Sequence, residues 1–285
     1  MAPSLRIGVV APGGRIEPDL AERVKSFAAD SFLDRAPEIV FHPQCFLSAG
    51  HFAGDDDARL KAFVEYANDA AFDAVWFARG GYGACRIAEA ALAQLKPAAS
   101  EKTYLGYSDA GALLAGVYKN EIGKPVHGPM PVDMTRAGGE AAVKRALAYL
   151  VDGSNETLEL GAMFDGASVA FNATVLSSIL GTSLEPNLSG HVLLLEEVGE
   201  YLYRFDRTLF HLTSSANVRS VKGLKLGRVS DVPENDRPFG ASEEEIARFW
   251  CARGGIAYLG RADIGHDVEN KIVPFGSCVP PSASV

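Results

Sequence analysis

The stretch from Thr103 to Asn120, TYLGYSDAGALLAGVYKN, decides the fold expected for this chain. Tyr104 to Tyr107 predicts a short buried strand, and Ala110 to Lys119 predicts a helix because its central positions carry no charge. Ser108 lies on the turn between them, where small neighbours let the backbone bend sharply. This layout is typical of a nucleophile elbow, in which a tight turn exposes a catalytic serine. A serine and an aspartate before a helix also fit a plain N-cap, so the pattern alone leaves both interpretations open.

Strand and helix signals alternate on both sides of this stretch. The other strands predicted in the first half are Leu5–Pro12, Glu38–Pro43, Phe72–Ala78 and the short Lys124–Pro129, and the helices are at about Pro18–Ala29, Asp55–Ala70 and Gly139–Leu150. Strands separated by helices indicate a parallel sheet with helices on both faces, and ligands bind beyond the carboxyl ends of such strands. Ser108 and the glycine-rich segment after the third strand both fall at that edge.

The second half of the chain is expected to form a smaller, β-rich domain. A polar, turn-rich segment at residues 151–164 predicts the crossing between a first domain at 1–150 and a second at 165–285. Three strand-rich stretches follow, and a helix at about 242–253 begins with Ser242 and Glu245 at capping-box spacing. We therefore expect an α/β protein of two domains.

Composition excludes several classes of partner. The 285 residues are 47% hydrophobic and 22% charged, as in a globular protein. The formal net charge of −9 argues against nucleic acids and anionic membranes, because both attract concentrated positive charge. The N-terminal apolar run is too short for a signal peptide and no stretch resembles a membrane span, so we expect a cytoplasmic location. The cysteines lack metal-like spacing and are expected to be reduced packing residues: Cys45, Cys85, Cys251 and Cys278.

A glycine-rich segment, ARGGYGACRI, follows the third predicted strand and places Gly80, Gly81 and Gly83 within four positions. Glycines let backbone N–H groups approach a ligand closely, as an oxyanion hole requires. A plain flexible loop is the alternative. The segment lacks a Walker pattern and a complete G-x-G-x-x-G, which argues against a phosphate loop.

Two acids and two histidines stand in contexts that suit catalysis. Glu196 and Glu197 end an apolar strand, and only one of them can face a site because successive strand residues point to opposite faces. A carboxylate at the end of a buried strand can orient a histidine N–H. Alternatively, the two glutamates belong to a solvated acidic turn. His266 lies in a predicted loop, and His127 in "HGP" is its one rival. The chain order serine, glutamate, histidine is that of the α/β-hydrolases.

Four residues are predicted, with less support, to contact a substrate: Arg79, Gly80, Tyr82 and Arg204. Arg204 and Arg207 are three positions apart and could anchor a carboxylate. They could equally pair with Asp206 and nearby acids.

The chain resembles the LD-carboxypeptidases (muramoyltetrapeptide carboxypeptidases) nearly from end to end. The resemblance rests on seven short motifs in the right order: VVAPGG, FAGDDDAR, RGGYG, GYSD, HGP, LLLEEVGEYLYRFDR and GHDVENKIVPFG. It implies a flavodoxin-like or amidotransferase-like first domain that carries the nucleophile, Ser108. The smaller second domain would carry Glu196 as the orienting acid and His266 as the base. The backbone N–H groups of Gly81 and Asp109 would form the oxyanion hole.

The resemblance also implies an activity. The protein would be a cytoplasmic, homodimeric serine carboxypeptidase that releases the terminal D-Ala of murein tetrapeptide in peptidoglycan recycling, with no metal or organic cofactor. The microcin C immunity peptidases share the triad but cleave an acyl-sulfamoyl or aminoacyl nucleotide; they tend to be longer, and no matching insertion is evident here. A non-catalytic two-domain module for small acids is a further alternative. One departure affects the shape of the pocket: Ala170 and Phe171 precede Asn172, where the family usually has two glycines.

Overall fold

The computed structural model describes residues 5–159 and 166–276 of the chain. The strands in these residues are β1 (Arg6–Val10), β2 (Glu38–Phe41), β3 (Ala74–Phe77), β4 (Thr103–Gly106), β5 (Lys124–His127), β6 (Ser168–Asn172), β7 (Val192–Val198), β8 (Gly223–Ser230), β9 (Tyr258–Arg261) and β10 (Val273–Pro274). The α-helices are α1 (Pro18–Phe32), α2 (Asp56–Asn68), α3 (Ala84–Leu92), α4 (Gly111–Lys119), α5 (Gly139–Asp152), α6 (Ala173–Ile179), α7 (Leu202–Ser214), α8 (Ala216–Arg219) and α9 (Glu243–Gly254).

The first sheet has the strand order β10-β5-β4-β3-β1-β2. Strands β1 to β5 pair in parallel, in the flavodoxin-like order 2-1-3-4-5. The α/β fold class predicted from the sequence is therefore confirmed. Because β4 lies inside this sheet, the turn that follows it emerges between the loops after β3 and β5.

The second sheet has the order β6-β7-β8-β9, and all of its strands are parallel. Helices α6, α7 and α9 pack beside it, so this part of the chain holds more helix than the β-rich prediction implied. Helix α7 was not predicted; it buries Phe205, Leu209 and Leu212 on one face, at the spacing of an amphipathic helix. The predicted capping box is confirmed at α9, where Ser242 Oγ accepts from the Glu245 N–H at 3.3 Å and Glu245 Oε2 accepts from the Ser242 N–H at 2.8 Å.

The end of the chain returns to the first sheet. Strand β10 pairs antiparallel with β5, with Val273 opposite His127 and Pro274 opposite Val126. This strand falls within the range 165–285 expected for the second domain, yet its hydrogen bonds belong to the first sheet. Residues 160–164 of the expected crossing segment lie outside the described residues, as does Cys278. The domain boundaries therefore stay predictions.

An apolar core continues from one sheet to the other. Phe171, 1% exposed, packs its ring against that of Phe275 with 5.1 Å between centroids. A Cβ at Gly111 would lie 3.5 Å from Cδ1 of Phe171, so the same side chain also contacts the start of α4. The departure from the family pattern at Phe171 thus places an aromatic ring at the junction of the two sheets.

The described cysteines agree with their predicted role as packing residues. Cys45, Cys85 and Cys251 are free thiols, and burial raises the pKa of Cys45 to about 12 and that of Cys251 to about 11. None of the helices in residues 5–159 and 166–276 combines the length and the apolar character that a bilayer crossing requires.

Candidate active site

Ser108 lies on the turn between β4 and α4 with a φ of 60°. Residues other than glycine rarely adopt this left-handed conformation, and in folded proteins it is concentrated at functional turns. The turn depends on a close approach by the glycine-rich loop, because a Cβ at Gly80 would lie 2.8 Å from Cβ of Ser108. The Ser108 hydroxyl points to His266 and not to a helix N–H. This geometry is that of a nucleophile elbow and not of an N-cap.

Three side chains from distant parts of the chain meet at this turn. Nε2 of His266 lies 2.9 Å from Oγ of Ser108, and Nδ1 of His266 lies 2.6 Å from Oε2 of Glu196. An ionised carboxylate can only accept, so Nδ1–H donates to Glu196 and Nε2 is left to accept the Ser108 O–H. Burial disfavours the charged imidazolium, but the charge of Glu196 and its hydrogen bond outweigh burial and raise the pKa of His266.

The two adjacent glutamates have separate contacts. Glu197 accepts from Asn172 Nδ2 at 2.7 Å, from the Thr174 N–H at 2.9 Å and from the Thr174 hydroxyl at 2.7 Å. It therefore holds the N-terminus of α6, and burial raises its pKa. Glu196 alone reaches His266, as expected if neighbouring strand residues face opposite ways.

A bulge in β8 brings Glu196 close to the loop of His266. Leu195 pairs with Leu226 and Glu197 with Val229, so β8 holds one residue more than β7 across this interval. Gly227 lies in the bulge, and a Cβ there would lie 3.0 Å from Cβ of Glu196 and 2.6 Å from the carbonyl oxygen of Ile264. The bulge was not predicted, although a glycine inside a predicted strand is a signal for one.

The glycine-rich loop is held against the turn of Ser108 by several contacts. Asp109 Oδ2 accepts from the Ala84 N–H at 2.8 Å, and burial raises the pKa of Asp109 to about 6. The fully buried Arg59 donates to the carbonyl oxygens of Pro12 and Gly83 and so joins the loop after β1 to this loop. Neither side chain was predicted to support the site.

The predicted oxyanion donors, the backbone N–H groups of Gly81 and Asp109, flank Ser108 along these two segments. The Gly81 N–H donates no hydrogen bond to any residue that the structure describes. Asp109 lies in the first turn of a helix, where N–H groups lack intrahelical partners. Both groups are therefore available to an oxyanion, and their role stays a prediction.

Comparison with known proteins identifies the family. The model of the LD-carboxypeptidase N-terminal domain matches residues 7–128, and that of the LD-carboxypeptidase C-terminal domain matches residues 165–280. The chain belongs to the LD-carboxypeptidase family. The resemblance drawn from the seven motifs is thus confirmed, and the protein is an enzyme of the peptidase class and not a non-catalytic binding module.

Individual relatives agree with this assignment. The murein tetrapeptide carboxypeptidase of Pseudomonas aeruginosa is 27% identical over 95% of this chain and 91% of that protein. The structure of muramoyltetrapeptide carboxypeptidase from Oxalobacter formigenes has a TM-score of 0.76 at 23% identity and covers 94% of this chain and 93% of its own. The microcin C7 self-immunity protein MccF, in complex with glutamyl sulfamoyl guanosine, has a TM-score of 0.71 at 16% identity with 97% of each chain covered. The two structural likenesses show a shared fold.

The residues of this LD-carboxypeptidase that were predicted to contact a substrate differ in their surroundings. Arg204 is 3.8 Å from Glu200 and donates to the hydroxyl of Tyr203 at 3.2 Å, and neither partner belongs to the triad. Tyr82 is 53% exposed and packs beside Phe52. Arg79 is exposed next to Gly80. Substrate contact by these residues stays a prediction.

His127, the rival base, is buried, and its hydrogen bond goes to Asn270 and not to Ser108. Its Nε2 lies 3.0 Å from Oδ1 of Asn270, and the same oxygen accepts from the Gly265 N–H at 3.1 Å. The Gly265 N–H identifies this Asn270 atom as the amide oxygen. An amide oxygen can only accept, so Nε2 of His127 carries the proton and donates it. Burial lowers the pKa of His127 to about 4, so the ring is neutral near pH 7. His127 therefore holds the loop of His266 and is not its substitute.

This geometry predicts a positioning role for His127. Replacing it with phenylalanine removes one donor to a buried oxygen, and we expect kcat to fall by about 10- to 100-fold. Glutamine can donate from a similar position, so His127→Gln should keep activity within about threefold of wild type. Steady-state turnover and its pH profile would be compared. Full activity in His127→Phe would show that Asn270 is held without this bond.

Proposed function

We propose that this protein is a serine LD-carboxypeptidase that hydrolyses the L,D-peptide bond of murein tetrapeptide and releases the terminal D-Ala. The observation that carries the proposal is the hydrogen-bonded series of Ser108, His266 and Glu196, at 2.9 and 2.6 Å, in a chain of this family. Such a series activates a serine hydroxyl, which is otherwise a poor nucleophile.

The reaction begins when Oγ of Ser108 attacks the carbonyl carbon of the scissile amide and Nε2 of His266 takes the serine proton. Negative charge moves onto the carbonyl oxygen, where the N–H groups of Gly81 and Asp109 donate to it. His266 then gives its proton to the amide nitrogen, the C–N bond breaks, and D-Ala leaves. Glu196 stabilises the imidazolium throughout.

Hydrolysis of the acyl-enzyme follows the same route. A water molecule gives a proton to Nε2 of His266 as its oxygen attacks the ester carbonyl carbon. His266 returns that proton to Oγ of Ser108 when the ester bond breaks. The tripeptide is released with a new carboxylate, and the enzyme is restored.

A panel of murein peptides tests the substrate. We expect mass spectrometry to detect loss of one D-Ala from the tetrapeptide and none from the tripeptide. The pentapeptide tests how strictly length is read. Ser108→Ala serves as the inactive control.

A second candidate is cleavage of an aminoacyl nucleotide analogue, favoured by the fold shared with MccF over 97% of each chain. The same assay would include glutamyl sulfamoyl guanosine. Cleavage of this compound without release of D-Ala from the tetrapeptide would contradict the proposed substrate.

The cytoplasmic location, the homodimer and the role in peptidoglycan recycling stay predictions from the family resemblance. Light scattering on the purified protein tests the homodimer, and a count of one chain per particle would contradict it.

A further inference from the structure

A cavity of about 380 Å³ lies beside the glycine-rich loop. The charged residues that line it are Arg15, Glu17, Asp19, Arg23 and Arg79. Arg15 pairs with Glu17 at 3.0 Å, whereas Arg23 and Arg79 form no ion pair within the described residues. Arg79 donates to the carbonyl oxygen of Arg15 at 3.3 Å, and Arg23 donates to that of Met134 at 3.3 Å. The cavity therefore has guanidinium donors free to bind an anion.

The loop that carries Arg79 contacts the reacting serine. Gly80 follows Arg79 directly, and a Cβ at Gly80 would lie 2.9 Å from Oγ of Ser108. The Gly14 N–H donates to the carbonyl oxygen of Gly80 at 3.0 Å. A Cβ at Gly14 would lie 3.5 Å from Nε of Arg79. The Arg79 side chain thus lies beside Gly14, next to the loop that carries the predicted oxyanion donor Gly81.

The local charge contrasts with that of the whole chain. The three arginines outnumber the two acids in the cavity, although the chain has a formal net charge of −9. A guanidinium presents its N–H groups as a planar fork that matches a carboxylate in bidentate geometry. An anionic ligand of low charge, such as one carboxylate, fits this balance.

The covalent geometry of a peptide places such a carboxylate nearby. The carboxylate carbon of the last residue lies within about 4 Å of the carbonyl carbon of the bond before it. A substrate whose scissile carbon faces Ser108 therefore carries its terminal carboxylate into the surroundings of the glycine-rich loop. An arginine side chain that starts one residue before Gly80 can reach that space.

We propose that Arg79 binds the terminal carboxylate of the peptide substrate and that the cavity shared with Arg15 and Arg23 is the subsite for this carboxylate. The inference rests on the proposed function and extends it, because it names how the enzyme reads the end of a peptide. An uncharged C-terminus leaves Arg79 without its partner. Because only the last residue of a peptide carries a free main-chain carboxylate, binding by Arg79 restricts cleavage to the last bond.

The test uses two forms of one murein tetrapeptide, the free acid and the C-terminal carboxamide. We expect wild type to prefer the acid, and Arg79→Met to lower kcat/KM for the acid by about 30- to 100-fold while changing that for the amide less than about threefold. Arg79→Lys keeps the positive charge but lacks the planar fork of the guanidinium. Its kcat/KM for the acid should therefore lie between those of wild type and Arg79→Met. Arg253→Met, on the surface of α9, removes the same charge elsewhere and should leave the preference unchanged.

Each outcome decides one of two questions. If wild type releases no D-amino acid from either peptide, the proposed function fails. If wild type cleaves both forms equally, or Arg79→Met keeps the wild-type preference, the function stands and the carboxylate subsite is overturned. Labelling of Ser108 by a fluorophosphonate at the wild-type rate shows that the site of Arg79→Met is intact. Should that variant not label, the preference of Arg79→Lys decides in the same way.

Discussion

Replacing Ser108 with alanine is expected to lower the rate of D-Ala release from murein tetrapeptide by about 10⁴- to 10⁶-fold while the protein stays folded. The hydroxyl oxygen is the only heavy atom lost, and the methyl group of alanine fits where Cβ of serine already lies. The acyl-enzyme route is then closed, and what remains comes from the oxyanion donors and from substrate binding. Mass spectrometry of released D-Ala measures the loss, and circular dichroism checks the fold.

The chain offers a matched control for this variant. Ser177 Oγ lies 2.7 Å from Nδ1 of His211 on the surface, so it forms a serine–histidine pair outside the candidate site. We expect Ser177→Ala to keep wild-type activity. Retention of more than about a hundredth of wild-type activity in Ser108→Ala would overturn the assignment of the nucleophile.

The second large effect is expected at Glu196. Glutamine there keeps the shape but can donate as well as accept, so His266 loses the partner that fixes its Nδ1–H tautomer and stabilises its charge. A loss of about 10³- to 10⁴-fold in kcat is expected, as for an aspartate-to-asparagine change in other triads. Steady-state kinetics on the tetrapeptide measures it.

The pH profile of Glu196→Gln provides an independent readout. The base must be neutral to accept a proton, so activity rises with pH through the pKa of His266. Glu196 raises that pKa against the opposing effect of burial. Without the carboxylate charge the pKa falls, and the acidic limb of the profile should move to lower pH.

Glu197→Gln is the control for the neighbouring position. Glu197 accepts from Asn172 and Thr174, so its replacement should lower the melting temperature through α6 and leave kcat within about tenfold. Equal losses of activity in the two variants, or a greater loss in Glu197→Gln, would show that Glu196 does not orient the base.

Local patterns in the sequence determined much of this protein. The alternation of apolar strands and amphipathic helices predicted the parallel sheet. This pattern is visible in the sequence because the spacing of apolar residues in each element depends on that element's own residues. The small residues around Ser108 predicted the sharp turn, and Ser242 with Glu245 predicted a capping box. The strand alternation also indicated that only one of Glu196 and Glu197 could face the site. These features are encoded within a few neighbouring residues.

Only the tertiary structure decided which groups meet. Ser108 and His266 are 158 positions apart. The prediction of His266 rather than His127 as the base rested on chain order and on the family resemblance, and not on local geometry. Strand β10 returns to pair with β5 of the first sheet, and the bulge at Gly227 lies against Glu196 in the second. Such contacts depend on how whole sheets pack, and a shift of one residue in one strand would break them. The sequence thus determined the parts and the local geometry that suits their chemistry, and the packing of the two sheets brought His266, and not His127, into hydrogen-bonding distance of Ser108.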